Sequence, residues 1–534
     1  MKEMIIIIIL MTFFNNTEIT YSQITQEWTA RYGQNELDGG SAIITDKVGN
    51  VYVTGAAGNP EDIVTIKYSS SGQQEWLARY NGPGNGRDGS NSIKIDNKGN
   101  VIVAGKSEGI GTNFDFITIQ YSLSGEQKWF RRYAGIGNQY DEVSSIGIDS
   151  IDNIYIAGIS NQRYAIIKYD SAGTQQWVNF YGTENNVSYA TAIIIDKYGN
   201  IYVTGQSGED STSSIDIVTI KYNSFGILKW VAKYNSPTSE NDYGMAIGVD
   251  SDGSIYVCGG SQGDLHYDDY ILVKYDSLGA EQWNRRYNGS GNFSDQARAL
   301  VIDKLNNVYI SGYATQAGTG NDFTTIKYNP FGDQIWLRKY NNGLNDFCED
   351  LTIDRIGNIY VEGASDGNGT NYDYATVKYD SSGNQLWAVR YDYSGVYPDY
   401  PSSIAVDNNG SVHVTGQSNR DYLTIKYSQL TGAIINESNI PTEYKLSWNY
   451  PNPFNPTTKI KFDITRNVRR EMQDVKLVVY DVLGSEVVTL INESKTVGSY
   501  EVEFDATGFP SGIYFYSLLI DGNLIDTKRM ILLK

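Results

Sequence analysis

The chain has 534 residues, 40% of them apolar and 19% charged, with 43 Tyr, 54 Gly and a formal net charge of −20. That length exceeds one ordinary domain, and a composition so rich in tyrosine and glycine excludes a disordered chain and favours strands and turns. The acidic balance argues against binding to a nucleic-acid backbone or an anionic membrane, and two cysteines and two histidines leave no disulfide framework and no zinc site.

At the N-terminus, Lys2 precedes an apolar run from Met4 to Phe14 that is too short to span a bilayer. Thr20-Tyr21-Ser22 then offers small residues for cleavage before Gln23, so residues 1–22 read as a signal peptide. No cysteine follows the run, which excludes a lipoprotein, and no other segment is apolar enough to cross a membrane. The mature chain is expected to be exported without a membrane span.

From Trp28 onward a unit of about 50 residues repeats. Trp28, Trp76, Trp129, Trp177, Trp230, Trp283, Trp336 and Trp387 mark it, each followed by a tyrosine. An apolar stretch then ends in an aspartate (Asp46 in the first unit), a second strand ends in a glycine (Gly55), and a "D-I-V-T-I-K-Y" strand ends in Tyr68. Alternation and Asp/Gly turns predict four short antiparallel strands per unit, which is a propeller blade. The first Trp strand precedes the first complete set of three, and no Trp follows the last set. The strand at Trp28 is therefore expected to pair with the last blade and close an eight-bladed ring over residues 23–431. The aromatic ladder is read as packing between blades, and the lysine before most of the closing tyrosines as a partner for a carboxylate or ring. The motif resembles the SBBP-type β-propeller repeat of bacterial surface proteins. That family is usually described as seven-bladed, and the resemblance implies architecture rather than an activity.

The pattern breaks at residues 432–443, which read as a linker. Pro451, Pro453 and Pro456 forbid a central strand, and short apolar-alternating strands follow to the C-terminus. Residues 444–534 are predicted to form an immunoglobulin-like β-sandwich. Asn449 to Pro453, "V-Y-D-V-L-G" at 479–484, "S-G-I-Y-F-Y-S-L" at 511–518 and the terminal "K-R-M-I-L-L-K" resemble the C-terminal sorting domain of type IX secretion cargo, and the related module of flagellar hook-capping proteins. The resemblance implies recognition by outer-membrane secretion machinery and a secreted or cell-surface location on a Gram-negative-type bacterium.

Three G-x-S-x-G strings, centred on Ser107, Ser261 and Ser365, occupy one position of the repeat. A nucleophile elbow needs a following helix and a histidine base. No helical period follows, and His266 and His413 are the sole candidate bases, so the repeat accounts for the motif. Asp250-Ser251-Asp252-Gly253 opens like a Ca²⁺ loop but has no late Glu in register.

One constellation remains. Asp38, Asp88, Asp141, Asp242, Asp295, Asp346 and Asp399 precede the first strands, with Ser188 breaking the series. Asp62, Asp115, Asp216, Asp269, Asp322, Asp373 and Asp421 open the third strands, with Arg163 as the exception. Both series fall on one face. The plain reading is that each caps backbone N–H groups of its own loop. The sharper one is a Ca²⁺ or ligand site at the mouth of the channel. The same face is expected to carry long variable loops in blades 2, 4, 5, 6 and 7. No residue stands apart from the repeat as a unique acid or base, and no cofactor is implied. The expected function is a non-enzymatic, exported binding or adhesion protein for a glycan or protein ligand. The alternatives are a polysaccharide-acting enzyme and a surface-layer component.

Overall fold

The computed structural model describes residues 24–33, 38–135, 139–183, 186–208, 214–263, 267–367, 371–393, 397–429, 444–465, 472–496 and 498–534. The signal-peptide and linker expectations, and His266, lie outside them. The chain divides into two compact units, residues 1–430 and 431–534. The described residues contain strands and no helix.

The first unit is the expected all-β propeller: eight four-stranded antiparallel sheets. Blade 1 runs Gly39–Thr45, Val51–Ala57, Asp62–Tyr68 and Gln74–Tyr80. Blade 8 consists of Asp399–Val406, Val412–Ser418 and Asp421–Gln429, completed by the N-terminal strand Ile24–Tyr32. The ring therefore closes through the Trp28 strand. Across the closure, the Tyr422 hydroxyl donates to the Val64 carbonyl at 3.3 Å and Lys426 Nζ to the Ser70 carbonyl at 2.9 Å.

The repeated residues explain the repeated geometry. In the turn after each first strand the aspartate takes two backbone N–H groups; Asp46 Oδ1 accepts from Val48 at 3.0 Å and Asn50 at 2.9 Å. Its other oxygen accepts the hydroxyl of the buried tyrosine on the second strand, Tyr52, at 3.1 Å. In blade 8 His413 replaces that tyrosine, 3.3 Å from Asp407. Each Trp crosses to the next blade, as Trp28 does by donating from Nε1 to the Ser70 carbonyl. Its ring covers Gly72, where an added Cβ would lie 2.7 Å from the indole, so glycine is required by close approach as well as by its φ of +86°. The recurring lysine does two jobs. Lys168 Nζ lies 5.2 Å from the Tyr155 ring centroid and donates to the Ser224 carbonyl of the next blade at 2.9 Å.

Two features differ from the sequence-based expectation. First strands begin earlier, at the aspartate itself in Asp88–Ile95 and Asp141–Ile148, because a bulge after Ser90 or Val143 absorbs one residue without ending the ladder. In blade 6 the extra residues lengthen the strands Val308–Gln316 and Gly320–Tyr328 instead of forming a long loop, since Gln316 pairs with Gly320.

The second unit packs a three-stranded sheet (Lys445–Leu446, Thr457–Ile464, Gly498–Asp505) against a four-stranded one (Glu486–Thr496, Met472–Tyr480, Gly512–Ile520, Asn523–Leu532). Phe462, Leu477, Val479, Phe504, Tyr516 and Leu518 fill the space between them. The proline-rich opening forms no ladder. It is tied down by Asn449, whose N–H donates to the Tyr516 hydroxyl at 2.8 Å, and by Phe454, whose N–H donates to the Ile531 carbonyl at 3.0 Å.

Candidate functional site

The seven aspartates of the first series are all buried, at 2% exposure or less. Each binds loop backbone: Asp88 accepts the Gly82 N–H, Asp141 those of Gly135 and Asn161, Asp242 that of Ser236, and Asp346 that of Asn342. Asp38 accepts from Gly58, Asp295 from Gly289 and Thr315, and Asp399 from Tyr393 and Asn419. The carboxylates are therefore buried and engaged by the backbone of the loops around them. Burial raises their pKa in Asp88, Asp141, Asp346 and Asp399, and pushes Asp242 and Asp295 up to about 6.

The second series accounts for the compensation. Arg132 pairs with Asp115 at 2.6 Å and Arg286 with Asp269 at 2.8 Å; Arg79 holds Asp62, and Arg390 holds Asp373. The same guanidinium groups reach the serines of the G-x-S-x-G strings: Arg132 to Ser107, Arg286 to Ser261 and Arg390 to Ser365. These serines are fully buried. In blade 5 Ser261 also donates to Asp242, so one network of Asp, Ser, Arg and Asp crosses all four strands. The candidate base His413 is buried as well, with its pKa lowered by burial against the opposing pull of Asp407. Among the described residues, Asp373, Asp392 and Asp399 offer carboxylate oxygens within 4.8 Å of one another, the spacing a shared cation needs.

Two other places present chemistry to solvent. The first is a cavity of about 410 Å³ on the long-loop face around blade 5. Tyr267 and Phe293 form its apolar side, with ring centroids 5.2 Å apart at 66°. Arg286, Asp269, Gln262 and Asn292 supply its polar side. The second is the channel, a space of about 640 Å³ bounded by the first strands of blades 2 to 7. Here, against the expectation that no unique acid or base stands apart from the repeat, charged residues do so. Lys94 stands where other blades place Ile44, Gly147, Ile194 or Val301, and Glu349 and Arg298 occupy bulge positions that are Ser41 or Thr191 elsewhere. Lys94 is open to the channel yet ringed by protein, and that desolvation lowers its pKa while Asp350 opposes the shift. Behind them Glu362 is fully buried, with neither carboxylate oxygen hydrogen-bonded. Burial, with Asp350 and Glu349 nearby, raises its pKa well above the ordinary carboxylate value. Comparing blade against blade at fixed repeat positions is the sequence signal that finds these residues.

Residues 449–533 match the family described as secretion system C-terminal sorting domain, and residues 393–422 match the β-propeller repeat family SBBP. The chain is an exported propeller protein carrying a secretion sorting domain. A protein of Acanthamoeba polyphaga mimivirus, named as an uncharacterized WD repeat-containing protein, is 23% identical over 77% of this chain; the match spans 37% of that protein's length. Among solved structures, a polysaccharide lyase aligns over 75% of this chain and 92% of its own, at 11% identity and a TM-score of 0.41. Drosophila Plexin A in complex with Semaphorin 1b aligns over 76% and 87%, at 10% and 0.36. A gluconolactonase of Xanthomonas campestris aligns over 54% and 86%, at 13% and 0.31. These similarities assign no activity to the chain.

Proposed function

We propose that the protein is a non-catalytic binding propeller, delivered to the cell surface or beyond by a type IX secretion system, whose ligand is a glycan held on the long-loop face. The cavity at blade 5 carries this reading. Two partly exposed aromatic rings offer flat apolar faces to sugar C–H groups, and Arg286, Asp269 and Asn292 offer hydrogen bonds to hydroxyls beside them. The rigid propeller positions these loops without needing to move.

The test is a glycan screen with the exported protein, followed by calorimetry on any hit. Tyr267→Ala and Phe293→Ala are expected to weaken binding at least about tenfold each. Binding unaffected by both substitutions overturns the placement. Deleting residues 444–534 is expected to leave the propeller inside the cell envelope, and unchanged secretion overturns the sorting role. A second reading, catalysis in the channel, is favoured by the charges of Lys94, Arg298 and Glu349. Hydrolysis of a polysaccharide that is abolished by Glu349→Gln would establish it.

A further inference from the structure

We infer that the tight-turn face, opposite the loops, is a docking surface for a second copy of this chain. The turn after each first strand and the turn after each third strand both lie on this face, and their tips are ordinarily polar. Here the inner turns expose Val48, Ile151, Tyr198, Leu305 and Ile356, and the outer turns expose Leu123, Phe225, Leu278 and Phe331. All nine side chains are between 53% and 80% exposed. Together they present on the order of 1,000 Å² of apolar surface, comparable with the ~800 Å² that one partner contributes to a standard interface and above the usual patch on a monomer.

The face is rigid. Asn97 N–H donates to Asp152 at 2.9 Å, Ser251 N–H to Asn306 at 3.2 Å, Lys304 Nζ to the Arg355 carbonyl at 3.3 Å, and Asn408 Nδ2 to the Lys47 carbonyl at 2.9 Å. Neighbouring turns are thus linked, and little ordering entropy remains to be lost on contact. The apolar tips concentrate on blades 3 to 7. A two-fold axis through that patch offsets the two channels and lays the inner turns of one copy over the outer turns of the other. The charges match this arrangement. Exposed cations Lys47, Lys197, Lys304 and Arg355 outnumber the exposed anion Asp252 on inner turns, and exposed Glu126 and Asp333 lie on outer ones. A self-complementary patch is what an isologous contact requires. Both loop faces would then point outward, making the assembly bivalent; the inference itself does not depend on what those faces bind.

Sedimentation velocity of the full chain tests it. We expect a dimer at about 10 µM protein. The contact is mainly apolar, so salt screening of the repulsion between two bodies of charge −20 outweighs its screening of the few Lys/Arg–Glu/Asp contacts, and added salt strengthens it. The variant Tyr198→Asn/Phe225→Ser/Leu278→Ser/Phe331→Ser uses residues that already fill those positions in other blades (Asn409, Ser71, Ser382), so the fold accommodates them. It should raise the dimer dissociation constant at least about 30-fold while leaving the thermal midpoint unchanged. A chain that stays monomeric at every salt concentration overturns the inference. So does a dimer untouched by the four substitutions, or one that salt dissociates. A monomer that instead sediments with phosphatidylglycerol vesicles overturns it in favour of a lipid surface.

Discussion

The two edges of blade 3 form the same junction with different chemistry. On the edge shared with blade 2, Asp115 pairs with Arg132 at 2.6 Å, and Asp141 accepts backbone N–H groups beside them. On the edge shared with blade 4, the corresponding positions hold Arg163, Phe180 and Ser188. Arg163 lies 4.4 Å from the Phe180 ring centroid, and Ser188 Oγ is 2.6 Å from Ser207 Oγ. Two buried carboxylates facing each other are tolerable only with a cation, arginine here and Lys233 or Lys339 at two other junctions, and several N–H donors around them. When phenylalanine replaces that arginine, both carboxylates leave with it. The two exceptions in the aspartate series are therefore one structural event at one junction.

The comparison can be broken most severely at its cation. Arg132→Ala leaves Asp115 and Asp141 buried without a counter-charge and should cost about 3 kcal/mol in denaturant unfolding of the propeller. A loss below about 0.5 kcal/mol would show that water already screens the pair. Next in size, Arg163→Asp puts a carboxylate beside Phe180 and should cost about 2 kcal/mol. Adding Phe180→Arg should recover most of it, a coupling that a double-mutant cycle reads directly.

A smaller effect lies in pH. Asp242 and Asp295 have folded pKa values of about 6, above their unfolded value of 3.8, because of burial. The folded state therefore binds protons more tightly. Their contribution favours folding fully below the unfolded pKa and is lost as pH rises through 6. Asp295→Asn should flatten the stability profile between pH 5 and 7.5 by about 1 kcal/mol, measured by thermal unfolding across that range. The smallest expected effect is that of Ca²⁺. Arg390 already pairs with Asp373, so Ca²⁺ should move the thermal midpoint by less than about 1 °C. A larger rise, lost in Asp392→Ala, would show that Asp373, Asp392 and Asp399 hold the ion.

Much of the site was legible as pattern. The aspartate series, the serine strings and the lysines could each be read off the repeat. The arginines that join the serine strings to the second aspartate series could not, because they lie on the fourth strand of the blade. The channel charges were present in the sequence as Lys94, Arg298 and Glu349. They show as exceptions when blades are compared at fixed repeat positions, and the bulge then decides that two of those positions, Arg298 and Glu349, border the channel.

The sequence by itself determined the blade, the number of blades, the closing strand and the sorting domain. All of these follow from local periodicity, turn chemistry and repetition. Tertiary structure decided which repeated residues are exposed. Burial depends on what the neighbouring blade places opposite, and so does the compensation of each buried charge. The same contacts show each aspartate of the first series engaged by loop backbone. Among the described residues they left the blade 5 cavity, the channel and the apolar turn tips open to solvent.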